Sequence, residues 1–258
     1  MKRYALDYDQ DDYAYIERAN RTLVDLFRRH ALGADIHRVL DVGAGAGANA
    51  QALRALRKDL YLIAVEPNAQ ATRQAQRHFD QVHTGDLSSF LGSAQFDPVH
   101  AVILSDVVEH IENPVAFLRA LRADPRTRDA LFFISVPNYA VWYNRARTAL
   151  GRFEYGFSGL YDRTHLRFFT RDSLFTLFEH VGLRVIESSC TPSLVQSLAP
   201  WLRRAFEGDV AAGNHLSLAE SKAFRAYQKL VEPLESRVCQ LFPELLGFQI
   251  VTVLRGAD

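Results

Sequence analysis

Three glycines at alternate positions, Gly43, Gly45 and Gly47, directly follow a short apolar run and constrain this chain more than any other feature. The run 39–42 has the character of a buried strand, and the alanine-rich segment after the glycines has helical spacing. A glycine turn between a strand and a helix exposes backbone N–H groups at the helix N-terminus, with no side chains in the way. The sequence therefore predicts an α/β fold with a binding site for an anionic group at this turn.

Acidic residues around the turn narrow the identity of its ligand. Glu66 ends a second apolar run about 20 residues later, where dinucleotide-binding folds place a ribose-binding acid. The glycines and Ala48 also fit the dinucleotide pattern, so a nicotinamide or flavin cofactor is one candidate. Asp41, however, lies two residues before the first glycine. Its carboxylate would repel a pyrophosphate there but could accept a hydrogen bond from an ammonium group.

Length, charge and cysteine content limit the remaining possibilities. The 258 residues suffice for one α/β domain with insertions, or for a domain and a small cap. The 30 basic and 30 acidic residues cancel, so no net positive field attracts nucleic acid or an anionic membrane. Cys190 and Cys239 lack the spacing of metal ligands and are typical of free thiols in a reducing compartment. With neither a leader-like N-terminus nor a membrane-length apolar run, we expect a cytoplasmic protein without a transmembrane segment.

Further apolar runs, and the weaker pattern of residues 81–86, predict the rest of a sheet that helices cover on both faces. After residues 60–66, the predicted strands are residues 81–86, 96–105, 130–137, 183–190 and 247–254. Helical spacing is predicted for residues 16–30, 171–180 and 216–241. We divide the chain into an N-terminal helical segment, residues 1–35, and a main domain, residues 36–258. The main domain carries cap insertions at residues 138–170 and 191–246.

Several motifs together resemble one enzyme family. Residues 41–47 read Asp-x-Gly-x-Gly-x-Gly, which resembles the first motif of the class I S-adenosylmethionine-dependent methyltransferases. Residues 105–114, Ser-Asp-Val-Val-Glu-His-Ile-Glu-Asn-Pro, resemble a segment of the ubiquinone-biosynthesis-like branch, in which Val-Pro-Asn, here residues 136–138, also recurs. Residues 162–170 resemble a signature of members whose genes often accompany glycan-assembly genes. The resemblance covers about residues 36–190 and is loose on substrate.

The resemblance implies a fold and a cofactor. The fold is the Rossmann-like class I methyltransferase fold, a seven-stranded, mostly parallel sheet in the order 3-2-1-4-5-7-6 with the last strand antiparallel. Helices lie on both faces, under a helical and aromatic cap. The cofactor is S-adenosyl-L-methionine and the product S-adenosyl-L-homocysteine.

The resemblance also assigns cofactor contacts. In this family the acid at the position of Asp86 accepts from the adenine amino group, and Leu87 covers the ring. The implied cofactor-binding residues are Asp41, Gly43, Ala44, Gly45, Gly47, Glu66, Pro67, Asp86, Leu87, Ser105 and Asp106. The N-terminal segment often closes over the cofactor in this family, which would bring Tyr4 or Tyr8 to it. Alternatively, that segment is a helix packed on the sheet.

The aromatic-rich insertion, residues 138–170, is the expected acceptor site, because irregular segments at this edge of a sheet tend to determine specificity. Alternatively, its rings form a satellite core. The predicted substrate-binding residues are Asn138, Tyr139, Tyr161, Arg163 and Arg167. His165 is the predicted base for an acceptor hydroxyl, oriented by Asp162, unless Asp162 forms a loop-fixing ion pair with Arg163. His110 is a second catalytic candidate, or else it bonds within its own helix.

The predicted function is methyl transfer to a small-molecule or glycan-linked acceptor. O-methylation of a sugar hydroxyl is the leading candidate. Within the family, the alternatives are a quinone or phenol O-methyltransferase and a small-molecule N-methyltransferase. From other classes, an NAD-dependent oxidoreductase and a non-catalytic cofactor-binding module remain. No group of acids and histidines has the spacing of a metal site, so we expect no metal. Residues 201–206 fit a membrane-contacting or lipid-contacting helix, or more simply a helical cap or dimer contact.

Overall fold

A single seven-stranded sheet forms the centre of the computed structural model, which describes residues 19–31, 35–93, 95–156, 159–192 and 229–257. The strands are β1 (Arg38–Val42), β2 (Tyr61–Glu66), β3 (Gln81–Thr84), β4 (Ala101–Ser105), β5 (Leu131–Pro137), β6 (Leu183–Pro192) and β7 (Gly247–Gly256). Their order is β3-β2-β1-β4-β5-β7-β6. The first five strands pair in parallel, and β7 pairs antiparallel with both β5 and β6. The predicted fold class and strand order are confirmed.

Helices connect the strands and cover the sheet. Those of the described residues are α1 (Arg21–Ala31), α2 (Ala48–Leu56), α3 (Ala69–Ala75), α4 (Leu87–Ser93), α5 (Pro114–Ala123), α6 (Trp142–Ala149), α7 (Arg171–His180), α8 (Glu232–Leu241) and α9 (Pro243–Leu246). The bounds of α7 are those predicted, because Thr170 forms a capping box with Ser173 and Gly182 follows the helix with φ 70°. None of the helices in the described ranges is both long enough and apolar enough to cross a lipid bilayer.

The core consists of two apolar layers, one on each face of the sheet. Neighbouring strand residues alternate between them: Phe132 and Ile134 belong to one layer and Phe133 to the other. Phe27 of α1 packs on Phe133 with ring centroids 5.2 Å apart, and Phe178 of α7 lies in the opposite layer. Apolar side chains therefore cover both faces of the sheet, which is why its central strands are continuous apolar runs in the sequence.

Two strands are shorter than predicted. β4 begins at Ala101 rather than at residue 96, because Pro98 has no N–H and the Val99 N–H donates to Arg126 O outside the sheet. β3 ends at Thr84, where Gly85 takes a φ of 153°.

Two predictions fall outside the described residues. They are the hypotheses that place Tyr4 or Tyr8 on the cofactor and assign a surface helix to residues 201–206. Of the predicted helical segment 216–241, the structure describes the end, which forms α8.

Candidate active site

The glycine turn lies at the carboxyl edge of the sheet, against the end of β2. Its three glycines have positive φ angles of 73°, 53° and 91°. The Gly43 and Ala44 N–H groups donate to Val65 O at 2.8 and 3.3 Å. A Cβ on Gly43 would lie 2.5 Å from Cγ2 of Val107, so no larger residue fits. The amides of Gly43, Ala44, Gly45 and Gly47 are bonded within the protein, so the first-turn amides of α2, starting at Ala48, are placed for an anionic group.

Glu66 links the glycine turn to the start of α3. Its carboxylate is buried, and Oε2 accepts a hydrogen bond from Gly45 N at 2.9 Å. Oε1 accepts from Asn68 N at 2.9 Å, just past Pro67. Asn68 in turn caps α3 by accepting from two helix amides. Each carboxylate oxygen can accept more than one hydrogen bond, so Glu66 can also bind ribose hydroxyls at this edge.

Asp41 is the least compensated acid beside the turn. It is 3% exposed, and neither carboxylate oxygen has a hydrogen-bond partner among the described residues. Burial, with a smaller contribution from Glu66, raises the pKa of Asp41 to about 8. An ammonium group would stabilise the charged form of this buried carboxyl group, whereas a pyrophosphate would disfavour it. This buried hydrogen-bond acceptor therefore fits an amino-acid ammonium group, as the family resemblance implies.

Asp86 lies at the end of the neighbouring strand, β3. Its side chain is exposed, and its Oδ1 accepts a hydrogen bond from Ser89 N at 2.7 Å, which caps α4. This bond keeps the pKa of Asp86 below its usual range, so the carboxylate is ionised at neutral pH. Leu87 beside it is buried. The acid and the apolar residue that the family assigns to adenine thus lie one strand from Glu66.

Asp106, at the end of β4, is held by residues that the sequence analysis did not single out. Gln249 Nε2 donates to both carboxylate oxygens, at 2.6 and 2.7 Å, and Asn20 Nδ2 donates to Gln249 Oε1 at 3.2 Å. Asp106 has a φ of 55°, and burial raises its pKa. Ser105 Oγ bonds to Ser135 Oγ at 3.2 Å. Gln249 was the available signal, as an amide side chain within the apolar run of β7.

His110 and His165 lie together although 55 positions separate them in the sequence. Leu166 N and Arg167 N both donate to Glu109 O, at 2.9 and 3.0 Å, which folds the end of the aromatic insertion onto the 3₁₀ turn Val108–His110. The two imidazole rings meet edge to face, with centroids 4.8 Å apart. Burial lowers the pKa of each ring, so both are neutral at pH 7. The structure thus brings both predicted catalytic histidines into one cluster.

The ring of His165 is oriented by a carbonyl group rather than by Asp162, contrary to the sequence prediction. His165 Nδ1 donates to Leu160 O at 3.2 Å. Asp162 Oδ1 instead accepts from Thr164 N and Thr164 Oγ1, at 2.9 and 2.7 Å. The backbone of Asp162 also accepts a hydrogen bond from His165 N, at 3.0 Å. Asp162 therefore shapes the turn that carries His165.

Glu109 completes this cluster and was missed from the sequence. It is 1% exposed, and neither carboxylate oxygen has a hydrogen-bond partner in the described part of the chain. Burial, with Asp106 and Asp162 nearby, raises its pKa well above the usual range. One ligand-type atom from each of Glu109, His110 and His165 lies within 4.8 Å of the other two. Because His165 lies on a loop that is distant in the sequence, no local motif spacing could have predicted the cluster.

Asn138 has a structural role that differs from its predicted place in the acceptor site. It is fully buried at the end of β5. Its Nδ2 donates to Glu244 O and Gly247 O at 2.9 and 2.8 Å, and its Oδ1 accepts from Ala140 N at 3.0 Å. These bonds commit the side chain to joining β5 to α9 and β7.

The other predicted acceptor-binding residues lie in or beside the aromatic insertion. Tyr161 is buried with Val141 and Leu160 in a satellite core, as the alternative interpretation anticipated. Tyr139 packs on Phe168. Arg163 is partly buried, and Arg167 is exposed and donates to Glu112 O at 2.5 Å.

Two comparisons with known proteins bear on the family. The sequence profile described as "Methyltransferase domain" matches residues 12–188, more than half of the chain. No curated protein matches the sequence at a significant level.

Solved structures share the fold. A SAM-dependent methyltransferase from Archaeoglobus fulgidus has a TM-score of 0.55 and 18% identity, covering 92% of this chain and 93% of that one. A putative methyltransferase from Bacillus halodurans C-125 has a TM-score of 0.51 and 17% identity, covering 92% and 100%. The plantazolicin methyltransferase BamL, solved with a desmethylPZN analog and SAH, has a TM-score of 0.53 and 12% identity, covering 92% and 84%. The family match and the glycine turn lead to one conclusion: the chain belongs to the methyltransferase-domain family and is an S-adenosylmethionine-dependent methyltransferase.

Proposed function

We propose that this enzyme methylates a hydroxyl group of a small-molecule or glycan-linked acceptor, with a sugar hydroxyl as the leading candidate. One observation supports hydroxyl chemistry above the others: a buried, neutral His165 lies beside the end of β4, at the cofactor edge of the sheet. A neutral hydroxyl group is a poor nucleophile, so its methylation needs a group nearby that accepts the hydroxyl proton. The sugar assignment, and the glycan-associated branch, rest on the resemblance of residues 162–170.

The proposed cofactor contacts follow the strand ends in order. Asp41 accepts from the ammonium group, and the first amides of α2 bind the carboxylate. Glu66 accepts from the ribose hydroxyls, Asp86 accepts from the adenine amino group, and Leu87 covers the ring. Asp106, held by Gln249, is proposed to border the place where the methyl group is transferred.

The protein's part in the reaction is alignment and proton transfer. Bound S-adenosylmethionine supplies an electrophilic methyl group with a neutral thioether as its leaving group. His165 Nε2 carries the lone pair, because Nδ1–H donates to Leu160 O, and it is the proposed acceptor of the hydroxyl proton. Asp162 fixes the turn around His165, and His110 packs against the ring. Positioning the hydroxyl against the methyl carbon supplies much of the rate enhancement.

Transfer of tritium from labelled S-adenosylmethionine into a pool of candidate acceptors tests this function. We expect label in hydroxyl-bearing sugars or glycan precursors, and a loss of more than tenfold in His165→Ala. Cofactor affinity should be unchanged in that variant. If His165→Ala binds cofactor normally and turns over the acceptor within tenfold of wild type, the assignment of the base is wrong.

The same assay separates the alternative functions. Label in quinones or phenols, or in amines, would favour the alternative acceptors. Calorimetry with S-adenosylhomocysteine and with NAD separates a methyltransferase from an oxidoreductase. Binding of S-adenosylhomocysteine without transfer to any acceptor would indicate a cofactor-binding module. We also propose a cytoplasmic location, because Cys190 and Cys239 are both buried free thiols.

A further inference from the structure

We propose that Glu109, His110 and His165 bind a divalent transition-metal cation, and that this cation activates the acceptor hydroxyl. The role in activation rests on the proposed function, whereas the cation site itself is argued from the geometry of the cluster. The site adds a metal to a chain whose sequence predicted none. With the cation bound, His165 Nε2 is its ligand, and water rather than His165 accepts the proton of the hydroxyl.

The three side chains already lie at nearly the separation that a cation requires. One ligand-type atom from each lies within 4.8 Å of the other two. Bonds from a transition metal to imidazole nitrogen or carboxylate oxygen are about 2.0–2.2 Å long, so neighbouring ligand atoms lie about 3–4 Å apart. Small side-chain rotations are therefore enough to close the cluster around an ion.

Glu109 is a buried acid that the rest of the protein leaves without compensation. Its carboxylate is almost fully buried, and neither oxygen has a hydrogen-bond partner among the residues described. Buried carboxylates without partners are costly, and they are normally paired or bound to a metal. The carboxyl groups of Asp106 and Asp162 lie nearby. A divalent cation would stabilise this group of acids.

Each histidine is fixed in the tautomer that a metal ligand needs. His110 Nδ1 donates to Thr164 O at 3.1 Å, and His165 Nδ1 donates to Leu160 O at 3.2 Å. With the Nδ1 proton donated to a carbonyl oxygen, each ring presents Nε2 as the nitrogen that can bind a cation. Metal-binding histidines commonly donate their other N–H to a carbonyl or carboxylate, which sets the direction of the ring. Two such bonds in one cluster of three residues form a second observation, independent of the distances.

The ligand set selects the kind of cation. Two imidazoles and one carboxylate suit divalent first-row transition metals, whereas Mg²⁺ and Ca²⁺ prefer oxygen ligands throughout. Three protein ligands leave coordination positions open for a hydroxyl of the acceptor. The cation lowers the pKa of that hydroxyl, whose proton passes to water. The oxygen then forms the bond to the methyl carbon while the carbon–sulfur bond breaks, and its electron pair stays on sulfur.

Titration of the untagged full-length protein with Co²⁺, after removal of metal by a chelator, tests the site. Visible d–d absorption and calorimetry should show one bound equivalent. Glu109→Gln and His165→Asn should each weaken that binding at least tenfold. Glu187→Gln and His37→Asn are matched controls on other elements and should bind as wild type, since Glu187 pairs with His30 and His37 with Asp35.

The result that overturns the site is equally specific. Either no Co²⁺ binding by wild type, or equal binding by wild type, Glu109→Gln and His165→Asn, removes it. S-adenosylhomocysteine titration of the same samples establishes that each variant is folded. If wild type fails to bind that product, the proposed function falls while the Co²⁺ result still decides the metal site.

Activation by the cation has its own test. Tritium transfer by metal-stripped wild type should fall at least tenfold and return when Co²⁺ is restored. Undiminished transfer without metal would show that the hydroxyl is activated in another way.

Discussion

Glu66 Oε2 accepts a hydrogen bond from Gly45 N at 2.9 Å, so the acid that ends β2 is bonded to the glycine turn that ends β1. The other oxygen of the same carboxylate accepts from Asn68 N and fixes the start of α3. One side chain therefore supports the shape of the turn and, in the proposed function, binds the ribose. Cofactor affinity and local structure are coupled through it.

We expect Glu66→Gln to weaken S-adenosylhomocysteine binding at least tenfold. An amide has one acceptor oxygen for the two backbone donors, and it loses charge-assisted bonds to the ribose that are each worth about 1.5–3 kcal/mol. Isothermal titration calorimetry measures the change. Glu187→Gln is the matched control, because Glu187 pairs with Arg29 and His30. Equal affinities in wild type and Glu66→Gln would contradict the ribose assignment.

The stability of the ligand-free protein should depend on pH through Asp41. Its pKa is about 8 in the folded protein and 3.8 as an ordinary carboxyl. Between these values the folded state holds a proton that the unfolded state has released, so the contribution of Asp41 to stability is lost as pH rises through this window. Urea unfolding from pH 5 to 8 measures this effect. As the pH rises, the free energy of unfolding of wild type should fall relative to that of Asp41→Asn. A difference independent of pH would contradict the raised pKa.

Cofactor binding should release a proton from Asp41 at pH 7. An ammonium group beside this carboxylate favours its charged form, so the pKa falls when the ligand binds. Calorimetric titrations with S-adenosylhomocysteine in buffers of different ionisation heat measure the number of protons released. Asp41→Asn should release fewer protons and bind more weakly. The same proton count in both proteins would place the ammonium group elsewhere.

Gly43→Ala should destabilise the protein and impair cofactor binding. Position 43 has a φ of 73°, and an added Cβ would lie 2.5 Å from Val107 Cγ2. The left-handed backbone alone costs a residue with a Cβ about 1–2 kcal/mol, and the contact adds to it. Gly92→Ala is the control, because Gly92 lies in α4 with open space around it, and the change should stabilise by about 0.5–1 kcal/mol. Urea unfolding of both variants compares them, and equal stabilities would refute the steric argument.

Asn138→Ala should reduce stability rather than acceptor affinity. The change removes three hydrogen bonds and leaves the carbonyls of Glu244 and Gly247 without this donor, at a cost of about 1–3 kcal/mol for each buried group left unpaired. Asn113→Ala removes a cap that accepts one bond from Ala116 N and should cost about 1 kcal/mol. Denaturant unfolding ranks the two variants. A stable Asn138→Ala with a raised KM for the acceptor would restore its predicted role in substrate binding.

The sequence best predicted those features that depend on the order of residues within one segment of the chain. The glycine turn and the acid of β2 each follow an apolar run, and the carboxyl ends of parallel strands meet at one edge. Position along the chain was therefore enough to predict that Asp41 and Glu66 share an edge, whereas the assignment of Asp86 came from the family resemblance. The strand order came from the family resemblance, and the structure confirms it.

Contacts between residues of distant segments depend on the tertiary structure alone. Antiparallel β7 lies between β5 and β6 in the sheet. This position brings Gln249 to Asp106 and the Gly247 carbonyl to Asn138. The fold of the aromatic insertion back onto Glu109 places His165 beside His110. Hydrophobic periodicity and motif spacing report how a segment meets its own neighbours. Which buried polar groups satisfy one another depends on long-range packing, and no local pattern encodes it.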